Sequence, residues 1–313
     1  MSNLTVENVY TRHQAKLLAK KHFWKLLGMM LIVLVIAYGI SFGGMALLNY
    51  GTASNLTLTT ADAVSAVNAT GSGVVFWLGY ALMLVVNMLV SGGLGLGLTS
   101  AMLDICRGDE NVTVGRVFSR MKHCLKALGL SLWVGLKTVL WALPVYVLGA
   151  VAIVFILTSL DGEASAAAQT FLTLLPLLLM VLVFALVIPA VYRYLLSTYI
   201  LADKPETGIR ACVNESKTMM KGHKWQAFKL VVPTVLILYG LMILLLLAFT
   251  LLTSLLAEIS EAATVIVSVV FIIALLVLAM YYAIRMGLGY CIFYLNRQNK
   301  GVVEEPAAEP AAE

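Results

Sequence analysis

The chain has 313 residues, of which 61% are hydrophobic and only 12% charged, with a formal net charge of +5. Soluble domains carry about a quarter charged residues. The composition, with a mean hydropathy of +0.95, therefore excludes a water-soluble globular protein and points to an integral membrane protein whose apolar surface is met by lipid.

The chain opens with a leader, 1–25, carrying Arg12, Lys16, Lys20, Lys21 and Lys25. The apolar run that follows, 26–48, is longer than the roughly 7–15 residues of a secretory signal and reads as a retained anchor. After a loop without Lys or Arg, 49–73, comes a second span at 74–103. It holds Asn87 and the stretch "SGGLGLGL"; Gly93 and Gly97, four apart, permit close helix contact, and Asn87 is expected to donate an interhelical hydrogen bond. Residues 104–126 bring Arg107, Arg116, Arg120, Lys122 and Lys126. Within them, Val114, Val117, Phe118, Met121 and Leu125 fall at α-helical spacing, which predicts a basic amphipathic helix in the headgroup plane.

Spans at 127–158 and 171–200 follow, separated by a second cation-free loop. The segment 201–229 carries Lys204, Arg210, Lys217, Lys221, Lys224 and Lys229, with Ile209, Val213, Met220 and Ala227 as an apolar counterpart. A last pair of spans, 230–256 and 263–295, encloses a third cation-free loop, and the acidic, Pro/Ala-rich tail 296–313 is expected to be disordered. Pro144, Pro176, Pro189 and Pro233 fall inside spans and are expected to kink or unwind them.

Lys and Arg thus crowd alternate connections and leave the others to Asp62, Asp161, Glu163, Glu258 and Glu261. Under the positive-inside rule this predicts an all-α polytopic protein of the cell membrane. Its six transmembrane helices form three tandem hairpins (26–103, 127–200 and 230–295), joined by cytoplasmic amphipathic helices, with both termini cytoplasmic. A repeated phrase supports the tandem arrangement. "KHFWKLLG" at 21–28 and "KHCLKALG" at 122–129 share Lys-His-x-x-Lys-x-Leu-Gly, and "GHKWQAFK" at 222–229 is a looser version. Their histidines, His22, His123 and His223, lie 101 and 100 residues apart, each before an outward-going span. Duplication of a hairpin explains the interval; the habit of Lys, His and Trp to anchor any helix entry at the interface explains the phrase equally well.

Three cations interrupt the apolar runs. Lys137, Arg193 and Arg285 are separated from the outer loops by 21, 22 and 22 residues, about one bilayer thickness. Either they snorkel to the inner boundary or they line a positively charged inner cavity suited to an anion such as a lipid phosphate. With Lys122, Lys126, Lys221 and Lys224 they are the candidate anion- or lipid-binding residues.

Catalytic signals are missing. No phosphate-binding glycine loop, nucleophile elbow, His-Glu-x-x-His or Cys-x-x-Cys occurs. No metal or cofactor is implied. Cys106, Cys124, Cys212 and Cys291 lie at the cytoplasmic side, where thiols stay reduced. Asn55 and Asn68 stand in glycosylation-type triplets on the outer side, a pattern frequent by chance.

Residues 188–228 carry a resemblance. Ile188-Pro189, Tyr192, Tyr199, Leu201-Ala202-Asp203, Pro205, Ser216, Met220-Lys221-Gly222, Lys224 and Phe228 resemble the bacterial integral-membrane family catalogued as domain of unknown function 975, and 106–118 looks like its first cytoplasmic segment. The resemblance implies a multi-span bacterial membrane protein without an established activity. It extends distantly to the membrane region attached to some glycerophosphodiester phosphodiesterases. Read physically, the motif is a corner. Pro205 disfavours helix at Lys204, Thr207 is placed to cap the next helix, and Gly222 ends it.

The functional expectation is a non-enzymatic membrane protein that binds or moves an anionic lipid or other amphiphile. The alternatives are a structural subunit docking a cytoplasmic protein partner and, last, an intramembrane enzyme, for which no nucleophile and base are visible. No nucleic-acid partner is expected.

Overall fold

The computed structural model describes residues 3–56, 70–159, 166–257 and 261–304. Asp62, Asn68, Asp161, Glu163, Glu258 and the last nine residues of the tail lie outside them. Among the described residues the chain is all-helical, with no strand. In chain order, α1 is Asn3–Lys21, α2 Phe23–Leu56 and α3 Thr70–Cys106; a 3-10 segment, Val114–His123, precedes α4, Cys124–Ser159. Then come α5, Ala166–Tyr194, α6, Ser197–Asp203, α7, Ile209–Met219, α8, Lys224–Ala257, and α9, Glu261–Glu304.

Among the described residues six helices are long and apolar enough to cross a membrane, and each overlaps one of the six expected spans. Each begins before its apolar run, because helix continues wherever its backbone groups can pair internally, and the prolines within α4, α5 and α8 do not end them. Consecutive long helices pack together, α2 on α3, α4 on α5 and α8 on α9. Pro144 and Pro233 sit within α4 and α8. The fourth span, expected to be continuous over 171–200, is interrupted after Tyr194 and resumes as α6.

Burial is concentrated at one end of the bundle. The core joins Leu26 and Met29 of α2, Leu94 to Ile105 of α3, Leu196 to Ala202 around α6, and Ile284 to Tyr294 of α9. All these stretches adjoin the basic segments. Towards the other end the spans turn broad apolar faces outward, and in the most hydrophobic window of α8 no residue is buried. Such faces are stable only against lipid or another apolar surface.

Three local features differ from the sequence reading. The basic leader, to which no element was assigned from sequence, folds as α1, which packs on α9 and α8 and buries Asn8, Thr11, Ala15 and Ala19, with His22 buried just beyond its end. The second basic segment winds as a 3-10 helix, whose residues eclipse at i and i+3 rather than at α spacing. Val117 and His123 therefore face inward, whereas Phe118, placed on the apolar side by an α wheel, points outward; Leu125, placed on the same side, lies in the first turn of α4 and is also exposed. The expected disorder from 296 onward gives way to helix as far as Glu304, because Arg297 is tied down. Its Nη2 donates to Gln226 Oε1 at 2.5 Å and its Nη1 to His223 Nε2 at 2.9 Å.

The corner after α6 forms around Asp203. Its carboxylate accepts from Arg107 Nη2 at 2.7 Å and from the Tyr294 hydroxyl at 3.1 Å. Leu201, Ala202, Ser216 and Met220 are fully buried beside it. Gly222 takes φ +81°, the left-handed conformation that ends a helix at little steric cost to glycine. The cap of α7 is Gly208 with no side-chain hydrogen bond, not the expected Thr207.

Candidate functional site

The repeated phrases occupy equivalent places. His22 directly precedes α2, His123 directly precedes α4, and His223 directly precedes α8. At His22 and His223 the main-chain carbonyl accepts the first helical bond, from Leu26 and Ala227. Each phrase therefore turns a shorter helical segment into a long span. Trp24 and Trp225 in the first and third phrases stand exposed on the surface. His22 is held below the ordinary histidine range, first by burial and then by the charges of Lys21 and Lys25.

Carboxylates at this end neutralise one set of cations. Lys21 pairs with Glu110 at 2.5 Å, and Lys25 donates to the Glu110 carbonyl at 2.9 Å. That pairing with Lys21 holds the Glu110 carboxyl below its ordinary range. Arg116 bonds Asp104 at 2.8 Å, and Lys204 meets Glu215 at 3.6 Å. Lys126 donates to the Pro205 carbonyl at 2.8 Å and lies 3.8 Å from Glu206, which also faces His123 at 3.9 Å.

Of the candidates read from sequence, Lys137, Arg193, Arg285, Lys122, Lys221 and Lys224 have no carboxylate within ion-pair distance among the described residues, a condition they share with other cations of the chain such as Arg12, Arg120 and Arg210. Lys137, on α4, lies over the Trp133 ring at 5.0 Å and the Tyr194 ring at 5.7 Å. Arg210 of α7 lies over the same indole at 5.6 Å. Two cations thus lie against one indole ring where α4, α5 and α7 meet. Arg285 lies elsewhere, in a cleft shared with Arg12 of α1 and the first turns of α8. Lys137 and Arg193 do not line that cleft. Arg193 touches the corner through its main chain, whose carbonyl accepts from Ser216 Oγ at 3.2 Å. Lys122 and Lys221 are exposed, and Lys224 is half-buried.

The packing residues of α3 are placed as follows. Asn87 Nδ2 donates to the Ala37 carbonyl of α2 at 3.2 Å and to Ser41 Oγ. Gly93 and Gly97 face the 3-10 segment: a Cβ on Gly93 would lie 2.9 Å from Met121 Sδ, and one on Gly97 would lie 1.7 Å from the Val117 carbonyl oxygen. Arg12 and Arg210 were not among the residues singled out from sequence. Both were visible as cations, but only the fold shows that each is brought beside an intramembrane one. No group of three or more His, Cys, Asp or Glu side chains placed to hold a metal occurs among the described residues, and the four cysteines are free thiols.

The family model described as "Protein of unknown function (DUF975)" matches residues 6–256. The chain belongs to this family. The match runs from α1 through α8, so it takes in all three repeated phrases as well as the Asp203 corner. No curated protein and no solved structure showed significant similarity to the chain.

Proposed function

We propose that this DUF975 protein is a non-enzymatic protein of a bacterial cell membrane that holds, or moves, an anionic amphiphile at the inner leaflet. In this reading the basic segments and both termini are cytoplasmic, and the six spans run as three out-and-back pairs.

The observation that carries the proposal is the sorting of the cations. Carboxylates are available at this end, and they are spent on Lys21, Arg107, Arg116, Lys126 and Lys204. Lys137, Arg193 and Arg285, the cations one bilayer thickness from the outer loops, are left without them. An uncompensated cation at that depth is costly unless it reaches headgroups or an anion. Each cation near an anionic leaflet gains about 1 kcal/mol, and the aromatic rings around Lys137 are side chains favoured at the headgroup level.

The test is lipid copurification. The full chain and a variant with Lys137, Arg193 and Arg285 all changed to Gln are extracted from the same membranes, and the ratio of anionic to zwitterionic lipid retained by each is measured. The reading expects enrichment of anionic lipid by the parent chain and a several-fold fall in the variant. Equal ratios, with both proteins folded, would contradict it.

A further inference from the structure

The cleft between α1, α8 and α9 contains two guanidinium-bearing residues, Arg12 and Arg285, with Thr234 between apolar walls that include Leu230, Val231 and Met286. Arg285 Nε is buried without a hydrogen-bond partner. Arg12 directs its Nε to the Asn8 carbonyl at 3.2 Å, which leaves its terminal nitrogens for the cleft. Glu7, the carboxylate of α1 nearest in sequence, accepts from Gln226 Nε2 at 3.3 Å. Neither arginine has a carboxylate within 4 Å among the described residues. Two like charges lining one partly apolar cleft repel each other, and an anion placed between them would offset that cost.

We propose that this cleft binds the phosphodiester of an anionic membrane lipid. The proposal rests on the reading of the protein as a binder of anionic amphiphiles and gives that reading a specific site. Guanidinium groups match phosphate oxygens two at a time, and the Thr234 hydroxyl supplies a neutral donor. The space deep in the cleft is about 10 Å³, enough for one oxygen-sized group. One phosphate oxygen enters, and the rest of the headgroup stays at the mouth. The cleft offers no carboxylate to a choline-type cation, so a zwitterionic headgroup gains less there than an anionic one. Beyond Thr234, α8 turns Leu236 and Ile237 outward, an apolar surface for the acyl chains.

The experiment uses the full chain in nanodiscs of phosphatidylcholine doped with phosphatidylglycerol. It measures phosphatidylglycerol affinity and the rise in melting temperature that this lipid produces, for the parent chain, Arg12→Gln, Arg285→Gln and, as a surface-charge control, Lys20→Gln. The site predicts about a tenfold loss of affinity and loss of the thermal shift in both arginine variants, while Lys20→Gln, at an exposed position, keeps both. A parallel titration with inorganic phosphate separates the sources. Phosphate binding with the same dependence on Arg12 and Arg285 would assign the site to a soluble phosphate and overturn the lipid. If the parent chain enriches anionic lipid but all three variants bind like it, or all three weaken alike, the cleft is not the site, and only this inference falls. Absence of any anionic preference in the parent chain would remove the broader reading as well. Arg12→Lys controls for folding: it keeps the charge and is expected to retain part of the affinity.

Discussion

Gly97 sits where α3 passes closest to the 3-10 segment, with no room for a side chain beside the Val117 carbonyl. Gly97→Ala must push backbone away from backbone, a kind of overpacking that costs about 1–3 kcal/mol or more. Gly95, two residues before it, has nothing within 4 Å of an added Cβ, and Gly95→Ala is expected to be neutral or stabilising by up to about 1 kcal/mol. Thermal unfolding in detergent distinguishes the two; equal melting temperatures would contradict the packing. The sequence announced the close approach through its small-residue spacing. It could not announce the partner, because the neighbour is a connecting segment rather than another span.

His22 gives a second prediction at this scale. Its folded-state pKa lies below the ordinary 6.5, so the unfolded chain binds the extra proton first as pH falls. The stabilising contribution of neutral His22 is complete above about pH 6.5 and disappears as pH drops through the folded value. His22→Gln is therefore expected to flatten the acid side of the stability-versus-pH curve, read by melting in detergent from pH 7.5 to 5. An unchanged slope would show that His22 does not contribute.

Among the elements, α1 was the least legible. Its buried stripe, Asn8, Thr11, Ala15 and Ala19, has helical spacing but little hydrophobicity, so the apolar periodicity that marks other helices is missing. Small side chains let it lie close against α9, where Ala15 Cβ comes within 4.0 Å of a Cβ built on Gly289. Ala19→Leu, at a position with no exposure, is expected to cost about 1–3 kcal/mol, whereas the exposed Lys20→Leu changes stability little; melting curves of the two variants test this. The buried bond from Asn8 Nδ2 to the Gln226 carbonyl, 3.2 Å, holds the same helix to α8. Asn8→Leu should lower stability by about 0.5–1.5 kcal/mol by removing that bond, the carbonyl keeping its partner within α8. The 3-10 segment misled the α wheel for a different reason. Its period is three, so the residues that an α reading pairs on one side are divided between the inside and the surface.

At the scale of the whole molecule, the six spans and their pairing were readable because length and hydropathy are all that a lipid-spanning helix requires. The candidate site was half readable. Lys137, Arg193 and Arg285 were distinguished by depth alone, but which cations find carboxylates depends on contacts such as Arg107 to Asp203, 96 residues apart in sequence. The fold divides the three among the α4–α5–α7 junction, the Asp203 corner and the α1–α8–α9 cleft rather than bringing them to one cavity. Among the described residues the core lies at the basic end, and the exposed apolar faces towards the other end need lipid or another apolar surface.

Everything assigned to the basic end depends on which side of the membrane it faces. Membrane-impermeant thiol labelling of intact cells, using a cysteine-free background with single cysteines at positions 62, 115, 161 and 215, measures this directly. The account predicts labelling at 62 and 161, and protection of 115 and 215 until the cells are opened. Labelling of 115 or 215 in intact cells would contradict it.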